Sequence, residues 1–595
     1  MKLSGKAFST FLLFLFLFTC LNAGAKAATF TVTNLNDSGA GALRQAITDA
    51  NAAAGADVIE FQTGIVGTIN LESALPDLST EITVNGPGAE LLTVRRSSGV
   101  AYRIFKVTSS QPVVLNGLMI TGGSAPRGND PDLTLAQGGG IFTQGNLTVN
   151  KCIISGNAAL ASIAQGGGIY NSGFLTINDS QLLNNQAFTT APGNPVASQR
   201  GGGIYSMFGT VTINNSSISN SGGSHAIYNI GVVSLSNSSV TNNSAGGIHS
   251  QNPFSSSSGG VLIIENSTIS GNSMGSAIAV QSGLLEIRSS TVTNNQNGGV
   301  SVSCSQCPVS NSIIAGNGAG NDLAGNVAPT SSYNLIGNGS NSNLVNGQNG
   351  NIVGTTAAPV NAQLAPLGNY GGRTQTHRLL NTSPAINAGN PIDFPAIDQR
   401  GVGRPVGGTA DIGAFEFNLT PHRYLPRGGL NAGYDQTFTA FSNVPAPVFS
   451  FAVSEGVLPP GLSLSQTGTN TARVFGIPAD VGTFNFTITA TNTEGFTISA
   501  SYTLIIQAGI SFAGVSGRVL SADGKPVRRA FVHLIDANGN VIKQTFTNPF
   551  GYYRFFGIQT GEAYSFKVIA KNRRFTQQNI IVNGELNDFN FIAEP

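Results

Sequence analysis

Apolar and polar residues alternate in short runs between residues 138 and 320, and Gly, Asn and Ser separate the runs. Three passages open almost identically, with the sequences GGGIF, GGGIY and GGGIY at residues 138–142, 166–170 and 201–205. Each is followed by an alternating run that ends in an Asn/Ser pair and another aliphatic residue. Alternation of this kind is typical of β-strands with one buried face. The region is therefore predicted to consist of short strands joined by turns.

The same unit recurs seven times when it is aligned on its middle aliphatic residue. These residues are Val149, Ile177, Ile213, Leu235, Ile264, Ile287 and Val309. The steps between units vary but never fall below 22 residues, which indicates a fixed unit that carries loop insertions, as in a solenoid. Short strands inside so small a coil have no partner within it, so they must pair with the coils above and below, about 4.8 Å away. The pattern predicts a parallel β-helix.

Two adjacent columns of the alignment locate a corner of the coil. The first column reads Lys151, Asp179, Asn215, Asn237, Asn266, Ser289 and Asn311. The second column reads Cys152, Ser180, Ser216, Ser238, Ser267, Ser290 and Ser312. Asn tolerates a left-handed bend, and its amide can stack on the copy above. We predict a corner between two strands at the first column and small inward-facing residues at the second, with Cys152 as a buried substitute for serine.

The coils resemble the right-handed parallel β-helix repeats of bacterial surface proteins and polysaccharide-active enzymes. Before them, residues 29–32 and 57–61 are predicted to be strands, and residues 41–54 a helix whose Leu43 and Ile47 cover the open end of the solenoid. The sequence GALRQA at residues 41–46 resembles the CSLREA motif of bacterial surface proteins. Because the cysteine and the glutamate of that motif are absent here, the resemblance implies the fold and no role for those two residues.

Three insertions fall at one place in the unit, just before each glycine run. They cover residues 122–137, 157–165 and 184–200. Insertions at the same corner of successive coils stack into a wall, and binding residues often lie on such loops. The candidate binding residues are Arg127, Asp130, Asp132, Phe188 and Arg200. The alternative is that these are solvated loops that tolerate insertion.

Residues 359–417 are predicted to end the solenoid. The sequences LGNYGGR, SPAINAG, DQRG and DIGAFE occur there in that order, and they resemble the terminal segment of bacterial choice-of-anchor β-helix proteins. The charged residues of this segment are Asp398, Arg400, Arg404, Asp411 and Glu416. We interpret them as an ion-paired C-terminal cap rather than a catalytic cluster. The β-helix with both of its caps is thus predicted to span residues 28–420.

Two β-sandwiches are predicted after the β-helix. Residues 421–507 contain strands at regular spacing with turn signals, and they resemble the Ig-like modules of bacterial exoproteins. Asn492 stands where related cadherin-like modules carry a calcium-binding aspartate, which argues against a calcium site. Residues 508–595 resemble the carboxypeptidase regulatory-like domain, a transthyretin-like sandwich. Its basic residues Lys571, Arg573 and Arg574 form either a solvated surface or a contact for anionic glycans.

Composition limits the functional classes. Charged residues make up 10% of the chain and the net charge is +1, so nucleic-acid binding is not expected. Residues 1–27 resemble a secretory signal peptide with an AKA cleavage site, and no further membrane span is predicted after its removal. Cys304 and Cys307 form either a local disulfide or two free thiols. No metal site and no cofactor are expected.

One outward-facing group is a candidate catalytic site. Glu265 and Arg288 are predicted to be neighbours on adjacent coils, with Glu286 on the same face, which places the two glutamates about 8 Å apart. Inverting glycosidases separate their carboxyl groups by about 6.5–9.5 Å. An exposed Glu-Arg-Glu ladder that neutralises stacked charges explains the same residues without a substrate, and we favour it.

The whole sequence predicts an all-β protein, with a right-handed parallel β-helix followed by an Ig-like and then a transthyretin-like β-sandwich. We expect a secreted or bacterial cell-surface protein that is not an enzyme and that adheres to, or organises, extracellular polysaccharide or the cell envelope. The alternative is a polysaccharide lyase or glycoside hydrolase that acts on the β-helix face.

Overall fold

Parallel strands form three long sheets in the first part of the chain. The computed structural model describes residues 27–594, except 128–133, 191–197, 252–259, 305, 381, 407–408, 421–424, 442–447, 494, 496, 508–511, 538, 561 and 572. The predicted signal peptide lies outside these residues apart from its last residue. The three sheets contain 11, 12 and 10 strands, which we call sheets A, B and C. Each regular coil contributes one strand to sheet C, one to sheet A and one to sheet B, so the predicted parallel β-helix is confirmed.

Within each of the three sheets, the strands lie side by side in chain order. Sheet A contains Thr29–Val32, Asp57–Phe61, Ile82–Asn85, Pro112–Asn116, Asn146–Asn150, Phe174–Asn178, Thr210–Asn214, Val232–Ser236, Val261–Glu265, Leu284–Arg288 and Val309–Ser310. Sheet B contains Gly67–Leu71, Leu92–Arg96, Met119–Thr121, Ile153–Ser155, Gln181–Leu183, Ser217–Ser219, Ser239–Thr241, Thr268–Ser270, Thr291–Thr293, Ile313–Ile314, Leu335–Ile336 and Ile352–Val353. Sheet C contains Phe105–Val107, Ile141–Thr143, Ile169–Asn171, Ile204–Ser206, His225–Asn229, Gly246–Ser250, Ile278–Val280, Val300–Val302, Leu323–Gly325 and Asn341–Ser342.

The repeat aliphatics form one continuous column in sheet A. Val149 pairs with Ile177, and the same register continues through every unit to Val309. All seven side chains are fully buried. Burial of an aliphatic side chain of this size contributes about 1.5–3 kcal/mol, so the column stabilises each coil against its neighbours.

The predicted corner is confirmed, with one difference in its hydrogen bonds. All seven residues of the corner column have φ between 46° and 51°, in the left-handed region. The amide ladder lies instead one residue earlier, where Asn150, Asn178 and Asn214 are linked by bonds of 2.8 and 2.9 Å. These residues lie within sheet A, where copies are one strand spacing apart. The corner amides of Asn266 and Asn311 donate to carbonyl groups of residues 397 and 393.

The serine column forms a second ladder inside the coil. The backbone N–H of Cys152 donates to Ser180 Oγ at 3.0 Å, and the same bond recurs from each member to the next as far as Ser312. Cys152 is buried, and burial raises the pKa of its thiol to about 11. A thiol with so high a pKa is a poor nucleophile. The prediction of a buried substitute for serine is confirmed.

A strand, a helix and a strand open the solenoid, as predicted. The helix Leu43–Ala52 follows the strand Thr29–Val32 and precedes Asp57–Phe61. Its Leu43 and Ile47 are fully buried in the same apolar cluster as the first coils. The helix therefore covers apolar surface that the first coil would otherwise expose.

The three insertions form a small β-structure on one side of the coils, which we call the wing. Its strands are Ala158–Ala161 with Gln186–Thr189, and Leu135–Gln137 with Ile163–Gln165 and Ser198–Arg200. Between the two sheets lie six buried alanines, namely Ala125, Ala136, Ala159, Ala161, Ala164 and Ala187. Because alanine is small, the sheets can approach closely. The insertions thus form a packed element.

Residues 359–417 run back along the side of the last coils, where a cap over the end was expected. Their antiparallel strands are Leu364–Gly368 and Thr376–Leu379. The hydroxyl groups of Thr268 and Thr376 lie 2.8 Å apart, and Ser270 Oγ lies 2.8 Å from His377 Nε2. The expected ion pairs are present, because the buried Arg400 and Arg404 pair with Asp398 at 2.6 Å and Glu416 at 3.4 Å. We call residues 359–417 the side segment.

Two antiparallel sandwiches complete the fold. The first contains Leu419–Thr420, Tyr434–Ala440, Thr471–Gly476 and Leu462–Gln466 in one sheet, and Gly428–Gly429, Thr497–Gln507, Gly482–Asn492 and Phe449–Gly456 in the other. The second contains Tyr552–Gln559, Phe512–Leu520 and Phe591–Ile592 in one sheet, and Val541–Phe546, Phe531–Ile535, Ala563–Ile569 and Gln578–Ile581 in the other. The first sandwich shares an apolar cluster with the side segment. The predicted order of a β-helix followed by two sandwiches is confirmed.

Candidate functional site

Each glycine triplet turns the chain from the wing into sheet C. Gly138, Gly166 and Gly201 have φ between 64° and 66°, and a Cβ at each would lie 2.4, 2.3 and 2.1 Å from a backbone carbonyl oxygen. Only glycine fits a turn this tight. The turn places the polar residue that precedes the triplet close to the aromatic residue that follows it.

The aromatic residues after the triplets, together with their counterparts in the next two coils, stack into a column on the outer face of sheet C. The column consists of Phe142, Tyr170, Tyr205, Tyr228 and His249. Successive ring centroids are 4.9, 5.6, 5.6 and 4.7 Å apart. Sequence reasoning missed this column, although the signal was present in the residue that follows the inward isoleucine of each unit.

The wing supplies polar groups beside the rings. Gln137 Nε2 donates to Gln165 Oε1 at 2.9 Å, and Arg200 occupies the next place in the same register. The Cζ atom of Arg200 lies 5.3 Å from the centroid of the Tyr228 ring. Arg200, a predicted binding residue, therefore lies between the wing and the coils.

The column is buried and holds its groups neutral. None of its members is more than 9% exposed. Burial raises the pKa of Tyr170 to about 12 and also raises those of Tyr205 and Tyr228. Phenol groups of this kind do not act as nucleophiles near neutral pH. The column therefore attaches the wing to the β-helix, and it presents no open ring face to a ligand.

His225 and His249 lie together at the end of the column. Their ring centroids are 4.8 Å apart. Burial lowers the pKa of His225 to about 3 and also lowers that of His249. In the part of the chain that the structure describes, no group of three or more His, Cys, Asp or Glu side chains is placed to hold a metal ion.

Two of the predicted binding residues lie on either side of Leu160 on the outer surface of the wing. Arg127 Nε donates to the carbonyl oxygen of Leu160 at 2.9 Å, and Leu160 pairs with Phe188 on the next strand. The Phe188 ring is 39% exposed and lies across Gly222 of the following coil. Asp130 and Asp132 lie outside the described residues. The surface thus offers a guanidinium group and an aromatic ring on either side of Leu160, two coils apart.

The candidate catalytic residues are arranged differently from the expected ladder. Glu265 and Arg288 are register partners in sheet A, as predicted. However, Arg288 forms its ion pair with Asp393 of the side segment. Glu265 is half-buried and Glu286 is exposed. The arginine is bound to a group that the periodic sequence pattern does not reveal.

The buried carboxyl groups of the side segment form their hydrogen bonds with groups of the same segment. Asp398 accepts hydrogen bonds from the backbone N–H groups of Arg400 and Val402 at 2.8 and 3.0 Å. Burial raises the pKa values of Asp411 and Glu416, and each carboxyl group accepts two backbone hydrogen bonds. Buried carboxyl groups that accept hydrogen bonds from the protein in this way are typical of a structural network. Elsewhere, Cys304 and Cys307 form the local disulfide, with Cα atoms 5.8 Å apart.

Comparison with known proteins identifies the two sandwiches. Residues 420–507 match the family model described as "Putative Ig domain", and residues 514–591 match the carboxypeptidase regulatory-like domain. No curated protein matches the chain. No helix among the described residues is long and apolar enough to cross a membrane.

Matches to solved structures are partial. They include the Bacillus anthracis TIE protein at 12% identity, the major pilin subunit BcpA of Bacillus cereus at 8%, and the endo-fucoidan hydrolase MfFcnA9 from glycoside hydrolase family 107 at 16%. The matches cover 30%, 30% and 28% of this chain and 40%, 69% and 34% of those chains, with TM-scores of 0.13, 0.14 and 0.14. The chain thus spans less than half of the TIE protein. In the present chain, a parallel β-helix is followed by an Ig-like domain and a carboxypeptidase regulatory-like domain.

Proposed function

We propose that this chain is a non-enzymatic, exported modular protein that binds extracellular polysaccharide or another polymer of the bacterial envelope. The rigid β-helix repeats the same polar side chains along its outer faces, as in the amide ladder of Asn150, Asn178 and Asn214. A surface that repeats at the coil spacing suits a polymer that also repeats. The two sandwich domains fit a modular protein that acts outside the cell.

The observation that carries the proposal is that Arg127 and Phe188 lie on the same surface of the wing, on either side of Leu160. The ring is exposed but fixed, because it lies across Gly222 and within the strand Gln186–Thr189. Aromatic rings and guanidinium groups supply much of the affinity at exposed binding surfaces. The alanine core holds the two sheets of the wing together, so this surface is rigid before a ligand binds.

Substitution of this pair tests the proposal. The full chain with Arg127→Gln and Phe188→Ser is expected to bind a responsive polysaccharide about tenfold more weakly, because an aromatic anchor and a charged hydrogen bond are lost. Affinity is measured by titration calorimetry against a panel of neutral and acidic polysaccharides.

Phe174→Ser provides the matched control, because Phe174 is 65% exposed on sheet A, outside the wing. The control is expected to bind as the natural chain does. Equal loss in both variants would contradict a site on the wing. Shortening of the polymer would instead support the competing lyase or glycosidase, and would direct attention to Glu265 and Glu286.

A further inference from the structure

A second exposed aromatic surface lies on the carboxypeptidase regulatory-like domain. Residues along the strand Tyr552–Gln559 alternate between the two faces of its sheet. Tyr553 and Phe555 are inward, at 3% and 4% exposure, whereas Tyr552 and Phe556 are outward, at 50% and 61%. Phe550, just before the strand, is 67% exposed. Three large rings therefore face solvent in this strand and just before it, although apolar side chains of this size are usually buried.

Two arginines are stacked on these rings. The Cζ atom of Arg518 lies 4.8 Å from the Tyr552 ring centroid, and that of Arg554 lies 4.5 Å from the Phe556 centroid. Arg518 and Tyr552 are register partners on adjacent strands. We call Arg518, Phe550, Tyr552, Arg554 and Phe556 the arginine–aromatic face.

The stacked guanidinium groups remain available to an anion. Arg518 donates from Nε and Nη2 to the carbonyl oxygen of Phe550, at 3.3 and 3.1 Å, which fixes its orientation. Among the ion pairs formed within the described ranges, none involves Arg518 or Arg554. Because Arg518 uses its Nε–Nη2 edge for this bond, its Nη1–Nη2 end is left for a carboxylate or sulfate, as is the guanidinium group of Arg554.

The charge of the region points in the same direction. Residues 515–595 contain ten Lys and Arg against six Asp and Glu. Lys543 Nζ donates to the carbonyl oxygen of Phe556 at 2.5 Å, and although burial lowers its pKa to about 8, the amine is still mostly charged at neutral pH. An anionic partner is therefore complementary to this surface.

The spacing favours an extended, repeating partner. Residues two apart on a strand are about 6.6–6.8 Å apart, so rings and cations alternate regularly along the strand. Pyranose rings stack their C–H faces on aromatic rings, and uronic or sulfated sugars add an acidic group to each repeat. We propose that the arginine–aromatic face is a binding site for an acidic polysaccharide chain. This site lies on a different domain from the wing, so either proposal can fail without the other.

A series of dextrans tests the proposal with one backbone. The full chain is titrated with dextran, carboxymethyl dextran and dextran sulfate. The natural chain is expected to bind the two charged polymers at least tenfold more tightly than dextran. The Arg518→Gln/Arg554→Gln variant is expected to lose about tenfold for the charged polymers, because each arginine supplies a charged hydrogen bond. The Tyr552→Ser/Phe556→Ser variant is expected to lose a similar factor, because the guanidinium groups lose their support.

The matched control is Arg573→Gln/Arg574→Gln, which removes the same charge from the basic patch of the same domain. Binding within twofold of the natural chain is expected for this control. Equal losses in the control and the Arg518→Gln/Arg554→Gln variant would overturn the site, because net charge alone would then explain binding. Unchanged binding in both variants of the face would also overturn it. Binding to vesicles of phosphatidylcholine and phosphatidylserine, without binding to the charged dextrans, would assign the face to a membrane surface and reject the proposal.

Discussion

Seven residues in one column of the coil adopt the left-handed conformation, but only four of them are asparagine. The others are Lys151, Asp179 and Ser289, with φ of 51°, 50° and 47°. A left-handed residue with a Cβ costs roughly 1–2 kcal/mol relative to the right-handed form. The repeat tolerates this cost because the hydrogen bonds of the coils above and below fix the corner.

Lys151→Gly tests this strain. We expect the substitution to stabilise the β-helix by about 1 kcal/mol, since glycine adopts positive φ without a steric penalty. The urea midpoint of the β-helix transition measures the effect. Thr148→Gly, within the strand Asn146–Asn150, is the control and is expected to destabilise by about 0.5–1 kcal/mol. Destabilisation by both glycines would contradict a strained corner at Lys151.

The alternation, corner and serine columns could be predicted from the sequence because each recurs at the same place in every unit. The partner of Arg288 could not, because Asp393 lies 105 residues away in a segment without repeats. The aromatic column is equally periodic. However, each aromatic residue directly follows an inward isoleucine, so it reads as the last position of the glycine motif and not as a column of its own. Asp130 and Asp132 of the predicted binding set lie outside the part of the chain that the structure describes.

At the scale of elements, the wing is a small β-structure that is held in place by its contacts with the coils. Its own core consists of alanines, which bury little apolar area each, so its position depends on the aromatic column and on the glycine turns. The polar residues Gln137, Gln165 and Arg200 complete the contact from the wing side.

Truncation of one ring tests this dependence. Tyr205 is 1% exposed and stacks on both neighbours, so Tyr205→Ala is expected to cost about 3–5 kcal/mol. Hydrogen exchange is expected to accelerate in the strands Ile163–Gln165 and Ser198–Arg200, while sheet B keeps its protection. Tyr205→Phe, which retains the stack, is the control. Uniform loss of protection across all three sheets would contradict an attached wing.

The buried histidines predict that the stability of the folded chain depends on pH. Burial lowers the pKa values of His225, His249, His377 and His533 below the usual 6.5. The unfolded chain therefore binds more protons than the folded chain below about pH 6.5, so stability is complete above this pH and falls as the pH is lowered. For His225 the loss continues down to its folded pKa of about 3.

The urea midpoint between about pH 7 and pH 5 measures this loss, before most carboxyl groups titrate. The natural chain is expected to lose stability across this range. The His225→Gln/His249→Gln variant is expected to have a flatter profile, and an unchanged profile would contradict neutral histidines at the end of the aromatic column.

At the scale of the whole molecule, three kinds of β-structure follow one another, and one apolar cluster joins the last coils, the side segment and the first sandwich, whereas the second sandwich has a cluster of its own. The side segment contacts the corner of the last coils, and its Phe415 and Phe417 belong to the same apolar cluster as the first sandwich. Arg378 adds a hydrogen bond from the side segment to the carbonyl oxygen of Ser499, at 2.5 Å. Repeats predicted the β-helix, and domain resemblances predicted the sandwiches. The lateral course of the side segment depends on unrepeated contacts, which the sequence pattern does not contain.

The central claim is that the chain binds a polymer without cutting it. The most direct test incubates purified residues 28–595 with neutral and acidic polysaccharides and follows polymer length by size-exclusion chromatography. We expect at least one polysaccharide to elute together with the protein at unchanged length. Shortened chains from any of the polysaccharides would contradict the account, and so would the absence of co-elution with every polymer.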